Sequence, residues 1–410
     1  MKIGILGGGI SGLSIGRLLN ENHTIEILEQ QKEIGGIAKT VDVEGVPYHI
    51  TGGHCFNSKY PDVLDFVFNR ILPEESWHHI NRNAKIQFKG KLISYPIEFS
   101  IRQIFEFQSD LALHIVKDFI GTKEEITEFE NLEEWFIGKF GNTLAQEYFI
   151  PYNTKIWNKS LKDISYEWVE DKLPKPDKNK FIKSLFCKET DSMSHHSFYY
   201  PKNNQNNPFI KALGENLNVS LNYKINSIDK INNKFIVNNE KEYDLIISTL
   251  PLNMIPQLIT GSPKLVNDAA NNLRYNKLST MIWESEIDES TWTYIPDKDS
   301  IFHREINISN FFKGKKGFTI TEAIGEHTFD EMQKNGLKNK HLIRPLSHHI
   351  SDHAYVVFDK NCSENKDIIK SYLKEIGLIT HGRFGEWDYF NMDICIKKSL
   401  DLADFIKHNY

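Results

Sequence analysis

Gly7, Gly9 and Gly12 stand in the spacing Gly-x-Gly-x-x-Gly, and an acid, Glu29, follows one strand later. In this pattern one glycine permits a tight turn, the next lets the backbone approach a pyrophosphate, and the third lets helix and strand pack closely. The helix that follows presents free N–H groups and a positive end that favour phosphate. A carboxylate at Glu29 can accept hydrogen bonds from ribose hydroxyls. The chemistry indicated is dinucleotide binding. The pair Gly35-Gly36, with Ile37, lets the chain pass a bound ligand closely. Gly382-Arg383-x-Gly385 offers a cation beside a pyrophosphate.

Other constellations point away from chemistry. The pairs His78-His79, His195-His196 and His348-His349 lack metal-ligand spacing, and neighbours on a strand face opposite ways, so no metal is expected. Cys55, Cys187, Cys362 and Cys395 lack C-x-x-C spacing and read as free thiols of a reducing compartment. No nucleophile-and-base triad follows from spacing. Glu124, Glu125, Glu128 and Glu130 read as a solvated acidic edge, and the lysine-rich run Phe312-Lys313-Gly314-Lys315-Lys316 as a solvated turn.

The elements that must position these residues follow from periodicity. Met1–Leu6 reads as a buried strand, Leu13–Asn20 as a helix and Thr24–Leu28 as a second strand, which together make a βαβ unit. Pro61–Ile71 is expected to be an amphipathic helix, and Lys85–Ser94 a hairpin turning at Lys89-Gly90. From Ser100 to about Phe186 the pattern is helical, with Asn131 as a cap. Val219–Ile225, Lys234–Asn238 and Asp244–Ser248 read as short strands, and residues 278–360 alternate like an antiparallel sheet. Asn391–Ile406 is a last helix. A net charge of −6 gives no sign of a nucleic-acid partner. No apolar run approaches the ~20 residues of a spanning helix, and the first strand is no signal peptide, so a cytoplasmic protein is expected.

The order of motifs is distinctive: the glycine-rich unit, Glu29, Gly35-Gly36, Gly53-His54-x-Phe56, Tyr152-x-Thr154-Lys155-x-Trp157, Thr249-x-Pro251, Gly382-Arg383-x-Gly385 and Tyr389-x-Asn391-Met392. It resembles the FAD-dependent UDP-galactopyranose mutases and their amine-oxidase and protoporphyrinogen-oxidase-like relatives. The resemblance implies an α/β fold (α+β overall) with a Rossmann-type FAD-binding domain of the glutathione-reductase-like kind. That domain would be discontinuous over 1–80, 210–260 and 361–410. A helical lobe would span 100–186, and an antiparallel-sheet substrate domain 81–99, 187–209 and 261–360.

The implied cofactor is FAD, with FADH2 as the active form. Gly7, Gly9, Ser11 and Gly12 would hold its pyrophosphate and Glu29 its adenosine ribose, with Gln30 beside it. Gly36, Ile37 and Thr249 would line the cofactor path, and Ile225 would offer backbone to adenine. Gly53 and His54 would lie against the isoalloxazine, and Gly382, Arg383, Tyr389, Asn391 and Met392 would close the flavin site. His54, Tyr152, Trp157 and Tyr389 are the implied catalytic group. Tyr152, Trp157, Tyr199, Arg304 and Asn307 are the candidates for substrate, a nucleotide sugar or glycoside.

The mutases hold a substrate diphosphate with two arginines, one on the helical lobe and one in the sheet. Here Asp163–Glu170 has no arginine, and Asn307 stands at the expected sheet position, with Arg304 three residues earlier. Lys172, Lys175 and Lys202 could supply charge instead. The implied activity is isomerisation through reduced flavin without net redox change. A true FAD oxidoreductase and a non-catalytic flavin binder are the alternatives. The assembly is left open, with a homodimer among the options.

Overall fold

The computed structural model describes residues 1–123, 127–170, 177–186, 197–203, 205–312 and 314–409. Lys172, Lys175, Glu124, Glu125, Cys187, His195, His196 and Lys313 lie outside the described residues. The fold is mixed α/β, with a Rossmann-like dinucleotide domain and sheets of several types.

Lys2–Leu6 is the middle strand of a five-stranded parallel sheet, ordered Ile379–Thr380, Leu245–Ser248, Lys2–Leu6, Thr24–Leu28, Val219–Ser220. Ile3, Ile5 and Leu6 are fully buried, as expected of a strand covered on both faces. Helix Ile10–Leu19 and the C-terminal helix Met392–Asn409 pack together beside this sheet. The N- and C-terminal segments therefore share one core, with Ile5, Leu13, Cys395 and Ile396 in a single cluster.

A second sheet has seven strands, ordered Leu342–Val356, Tyr275–Ser285, Gly317–Ile324, Arg304–Asn307, Trp292–Tyr294, Ala84–Phe88, Lys91–Ser94. Only the pair Trp292–Tyr294 and Ala84–Phe88 is parallel. The hairpin Ala84–Ser94 turns at Lys89 and Gly90, both with positive φ (48° and 79°), which suits a tight two-residue hairpin turn.

Three elements differ from the periodicity. Val219–Ile225 is a strand only over Val219–Ser220, because Asn222 adopts the left-handed region at φ 56° and ends the extended run. Pro61–Ile71 is α-helical only to Asp65 and then winds as a π-helix from Phe66. The last long strand runs over Leu342–Val356, well before the apolar stretch that announces it. It is an edge strand, where Pro345 and the histidines are tolerated.

The helical segment Asn142–Trp157 also carries a π-turn, over Ala145–Phe149. The wider turn shifts the faces that follow it. Tyr148 and Tyr152 lie beyond its start, stacked 5.6 Å apart with planes 5° from parallel. Lys155, one turn later, donates to the carbonyls of Ile295 at 3.0 Å, Phe302 at 2.9 Å and Asp297. This ammonium ties the helix carrying Tyr152 and Trp157 to the loop leading into Arg304. Lys155→Met strands those carbonyls, and the expected loss is about 1.5–3 kcal/mol of stability. Urea unfolding of the two proteins checks it.

Candidate functional site

A cavity of about 2290 Å³ runs between the parallel sheet, the helical segment and the seven-stranded sheet. At one end its wall is the glycine turn. Gly7 has φ 102°, and a Cβ there would lie 2.4 Å from the Thr249 hydroxyl, so the turn requires glycine. A Cβ on Gly12 would lie 2.0 Å from the Gly7 carbonyl oxygen, so a side chain there would push the helix off the strand. Gly9 is different. Its φ is an ordinary −80°, and the nearest atom to an added Cβ is the Gly36 Cα at 3.8 Å. The space beside Gly9 opens on the cavity. A missing side chain there leaves room for a ligand. Helix Ile10–Leu19 has no side-chain cap, so its first N–H groups face this end unspent.

The Glu29 carboxylate accepts from the Gly8 N–H at 2.7 Å and the Gln31 N–H at 2.8 Å. It lines the cavity with Gly9, Ser11, Gln30, Gly36, Ile37, Ile225 and Thr249. Gly382 stands behind this wall, where a Cβ would lie 2.3 Å from the Ser11 hydroxyl.

In the middle of the cavity, Arg383 donates to the Ala354 carbonyl at 2.8 Å and the Phe390 carbonyl at 3.3 Å, and its guanidinium sits 4.3 Å from the Tyr389 ring centre. Its Nε is buried without a partner. Asn391 and Met392 line the same stretch. Opposite, the loop Ile50–His54 closes over His49, whose Nδ1 accepts from the His54 N–H at 3.2 Å. Burial and then the Arg383 charge push His54 down to about 4, so its ring is neutral near pH 7. Its Nε2 is buried and unpartnered.

Glu322 is fully buried beneath this loop. It accepts from Arg304 Nε at 2.6 Å and the Gly53 N–H at 3.3 Å, and lies 3.3 Å from His303 Nε2. Burial alone would raise its carboxyl; Arg304 and His303 outweigh that and hold it at about 2. Only glycine fits at residue 52: φ is 87° and a Cβ would stand 2.5 Å from the Glu322 carboxylate.

The far wall is aromatic: Tyr95, Tyr148, Tyr152, Trp157, Trp292 and Tyr294. Tyr152 meets Tyr294 edge-on at 5.8 Å, and Trp157 meets Trp168 edge-on at 4.7 Å. Trp157 is nearly all buried, with its indole N–H unpartnered.

Most of the residues singled out in the sequence thus meet in one cleft, but two substrate candidates do not. Asn307 is turned to the other side of its strand, where it donates to Ser290 Oγ at 2.7 Å and accepts from Thr319 at 2.8 Å. The odd step along the strand decides this: Arg304, three residues away, takes the cavity face that Asn307 does not. Tyr199 packs edge-on against Phe68 at 4.9 Å, in an aromatic cluster with Phe56, while its strand neighbour Phe198 faces the cavity. Lys202 does not line the cavity either. Arg82, Glu98, Tyr148, Tyr294 and Glu322 join the site without a sequence signal. They come from two strands, a loop and two helical turns that meet only in three dimensions, though the run Tyr95-Pro96-Ile97-Glu98 after the hairpin could have drawn notice.

Comparison with known proteins agrees with this arrangement. Residues 5–69 match the NAD(P)-binding Rossmann-like domain. The chain is 28% identical to the dTDP-fucopyranose mutase of Escherichia coli over 169 residues, which span 40% of this chain and 43% of that protein. It is 22% identical over 427 aligned positions to a protein of Klebsiella pneumoniae named "Probable UDP-galactopyranose mutase", covering 98% of this chain and 94% of the other. It superimposes on the crystal structure of reduced UDP-galactopyranose mutase with a TM-score of 0.87 at 20% identity, covering 100% of this chain and 94% of that one. The chain resembles the UDP-galactopyranose mutases. The structural match shows that the fold is shared over the whole chain. No helix among the described residues is long and apolar enough to cross a membrane.

One group of this wall titrates in the neutral range. Burial raises the Glu98 carboxyl to about 7, partly offset by its own backbone N–H. The native state therefore holds a proton that the unfolded chain releases above the ordinary carboxylate range. Stability from this group is full below about pH 4.5 and falls as the pH rises to about 7. Glu98→Gln is expected to remove that decline, raising the melting temperature at pH 8 relative to the parent while leaving the difference small at pH 4.5. Thermal scans across this range test it.

Proposed function

We propose that this chain is an FAD-dependent, UDP-galactopyranose mutase-like enzyme that isomerises a nucleotide-activated sugar, with a dinucleotide domain of the glutathione-reductase-like kind. One observation carries the reading. A single cleft joins a glycine cradle with room for a pyrophosphate to an aromatic wall with a facing arginine, and neutral His54 and Arg383 stand between them with unspent buried nitrogens. A dinucleotide with a three-ring end has the length and chemistry to span such a cleft, and a sugar would meet its reactive end at the aromatic wall.

Gly9 and Gly36 give the cofactor backbone room, the uncapped helix directs N–H groups at its phosphates, and Glu29 and Ile225 take its adenosine end. Arg383, Tyr389, Asn391 and Met392 enclose the opposite stretch. When bound, reduced flavin supplies a nucleophilic ring nitrogen and no net electrons. The chain orients the substrate around that centre. Neutral His54 would offer a ring nitrogen to the bound group without adding charge. Glu322 fixes the Gly52–His54 loop and Arg304 in one register. Tyr152 and Trp157 flank the substrate and exclude water. A cytoplasmic location and a homodimer are consistent with this role.

Gly9→Val fills the ligand space without crowding the protein, so the expected outcome is a folded, colourless protein with native-like circular dichroism. A yellow Gly9→Val protein would argue against the cradle. For the parent, reduced protein should convert UDP-galactopyranose or dTDP-fucopyranose to an isomer with only catalytic reductant, as read by chromatography, and oxidised protein should not. Anaerobic bleaching of the flavin by substrate alone would instead assign an oxidoreductase.

A further inference from the structure

His303 is 2% exposed and lines the cleft. It stands between Phe302, whose carbonyl accepts from Lys155, and Arg304. Its Nε2 lies 3.3 Å from a Glu322 carboxylate oxygen. Burial lowers its pKa more than Glu322 raises it, and the Arg304 and Lys155 charges add to the fall, so the ring is neutral near pH 7. A neutral imidazole has one proton, and the adjacent carboxylate assigns it to Nε2. Nδ1 is then an acceptor, and it is buried with no partner. An acceptor left in that state costs about 1–3 kcal/mol until a donor reaches it.

Several orphaned nitrogens of the cleft are of the opposite sense. Arg82 Nε, Arg383 Nε and the Trp157 indole nitrogen are donors, and they suit the oxygens of a ligand. An ionised phosphate gives no donor in return, whereas a hydroxyl group gives one. The neighbours of His303 say which part of a ligand is near. Glu322, beside its ring, also accepts from the Gly53 N–H, next to His54. The Tyr355 ring meets it edge-on at 6.4 Å and stacks on Tyr389 at 6.0 Å. This is the stretch where the function proposed above has the sugar meet the cofactor.

We propose that His303 is a specificity-determining residue: its Nδ1 accepts a hydrogen bond from a hydroxyl of the substrate sugar, so that a sugar lacking this hydroxyl is disfavoured. The assignment rests on reading the cleft as a nucleotide-sugar site, and the test separates the two.

Two substitutions divide the ring between its nitrogens. Glutamine places an amide nitrogen near the position of Nε2 and leaves no acceptor at Nδ1; asparagine places an amide oxygen near Nδ1 and leaves Glu322 without that contact. The oxidised, FAD-loaded parent, His303→Gln and His303→Asn are titrated with UDP, dTDP, UDP-galactopyranose and dTDP-fucopyranose. Monodeoxy analogues of the sugar nucleotide that binds more tightly are added to the series. Flavin absorbance and melting temperature report folding. His303→Gln should keep its affinity for the bare diphosphates and lose about 5- to 100-fold for the sugar nucleotide, the scale of one unpaired buried polar group. His303→Asn should restore part of that loss. One monodeoxy analogue should bind the parent and His303→Gln alike, which identifies the hydroxyl. Sugar-nucleotide affinity unchanged in His303→Gln would overturn the proposal. So would a loss in His303→Asn with none in His303→Gln, or equal losses for diphosphate and sugar nucleotide, since both mark support of Glu322 instead. Should His303→Gln fail to fold, the parent decides: equal affinity for every monodeoxy analogue overturns the assignment. A parent that binds the sugar nucleotide without these differences loses the hydroxyl assignment alone; a parent that binds none of the nucleotides loses the nucleotide-sugar reading and the assignment with it.

Discussion

A carboxylate removed from water must be surrounded by donors or give up its charge. Glu322, fully buried, is surrounded: an arginine, a histidine and a backbone N–H converge on it. Those partners come from two distant stretches of chain, the strand at Arg304 and the loop at Gly53. The loop can approach only because residue 52 has no side chain and can adopt a positive φ. The ion cluster therefore sets the distance between the wall that carries His54 and the wall that carries Arg304. Losing one member would leave an unpaired charge in the interior and release both walls together.

Around that anchor, the other contacts fix the remaining degrees of freedom. Lys155 clamps the helix of Tyr152 and Trp157 to the loop before Arg304. The π-turn at Ala145–Phe149 sets which way the two tyrosines face. The C-terminal helix, packed on the first helix, brings Arg383 and Tyr389 to the cleft opened by the N-terminal glycines. The cleft is a junction of three units, and each unit contributes one wall. The charges are distributed in the same way. Glu322 is paired, while Arg383 Nε, His54 Nε2 and Arg82 Nε, in residues that line the cavity, are buried without partners.

Much of this was legible from local pattern. The βαβ unit, the hairpin at Lys89-Gly90 and the Asn131 cap are decided by neighbours a few residues apart, and there the sequence reading and the structure agree. Errors arose where tertiary partners decide. The strand expected over Val219–Ile225 stops early because Asn222 turns, and Tyr223 instead donates its N–H to the Glu29 carbonyl. Asn307 and Tyr199 were drawn toward the site by alignment and by aromatic type. Their orientation depends on strand register, which an odd offset inverts.

Glycines at Gly7, Gly9 and Gly12 and an acid at Glu29 define a dinucleotide turn in almost any surroundings, because the constraint lies within one βαβ unit. The sequence alone settled that much. Which arginine faces the ligand and which carboxylate is paired were decided only by the tertiary structure. Arg82, Arg304 and Glu322 are separated by long stretches of chain, and charge compensation is a property of distance in space, which spacing along the sequence does not encode.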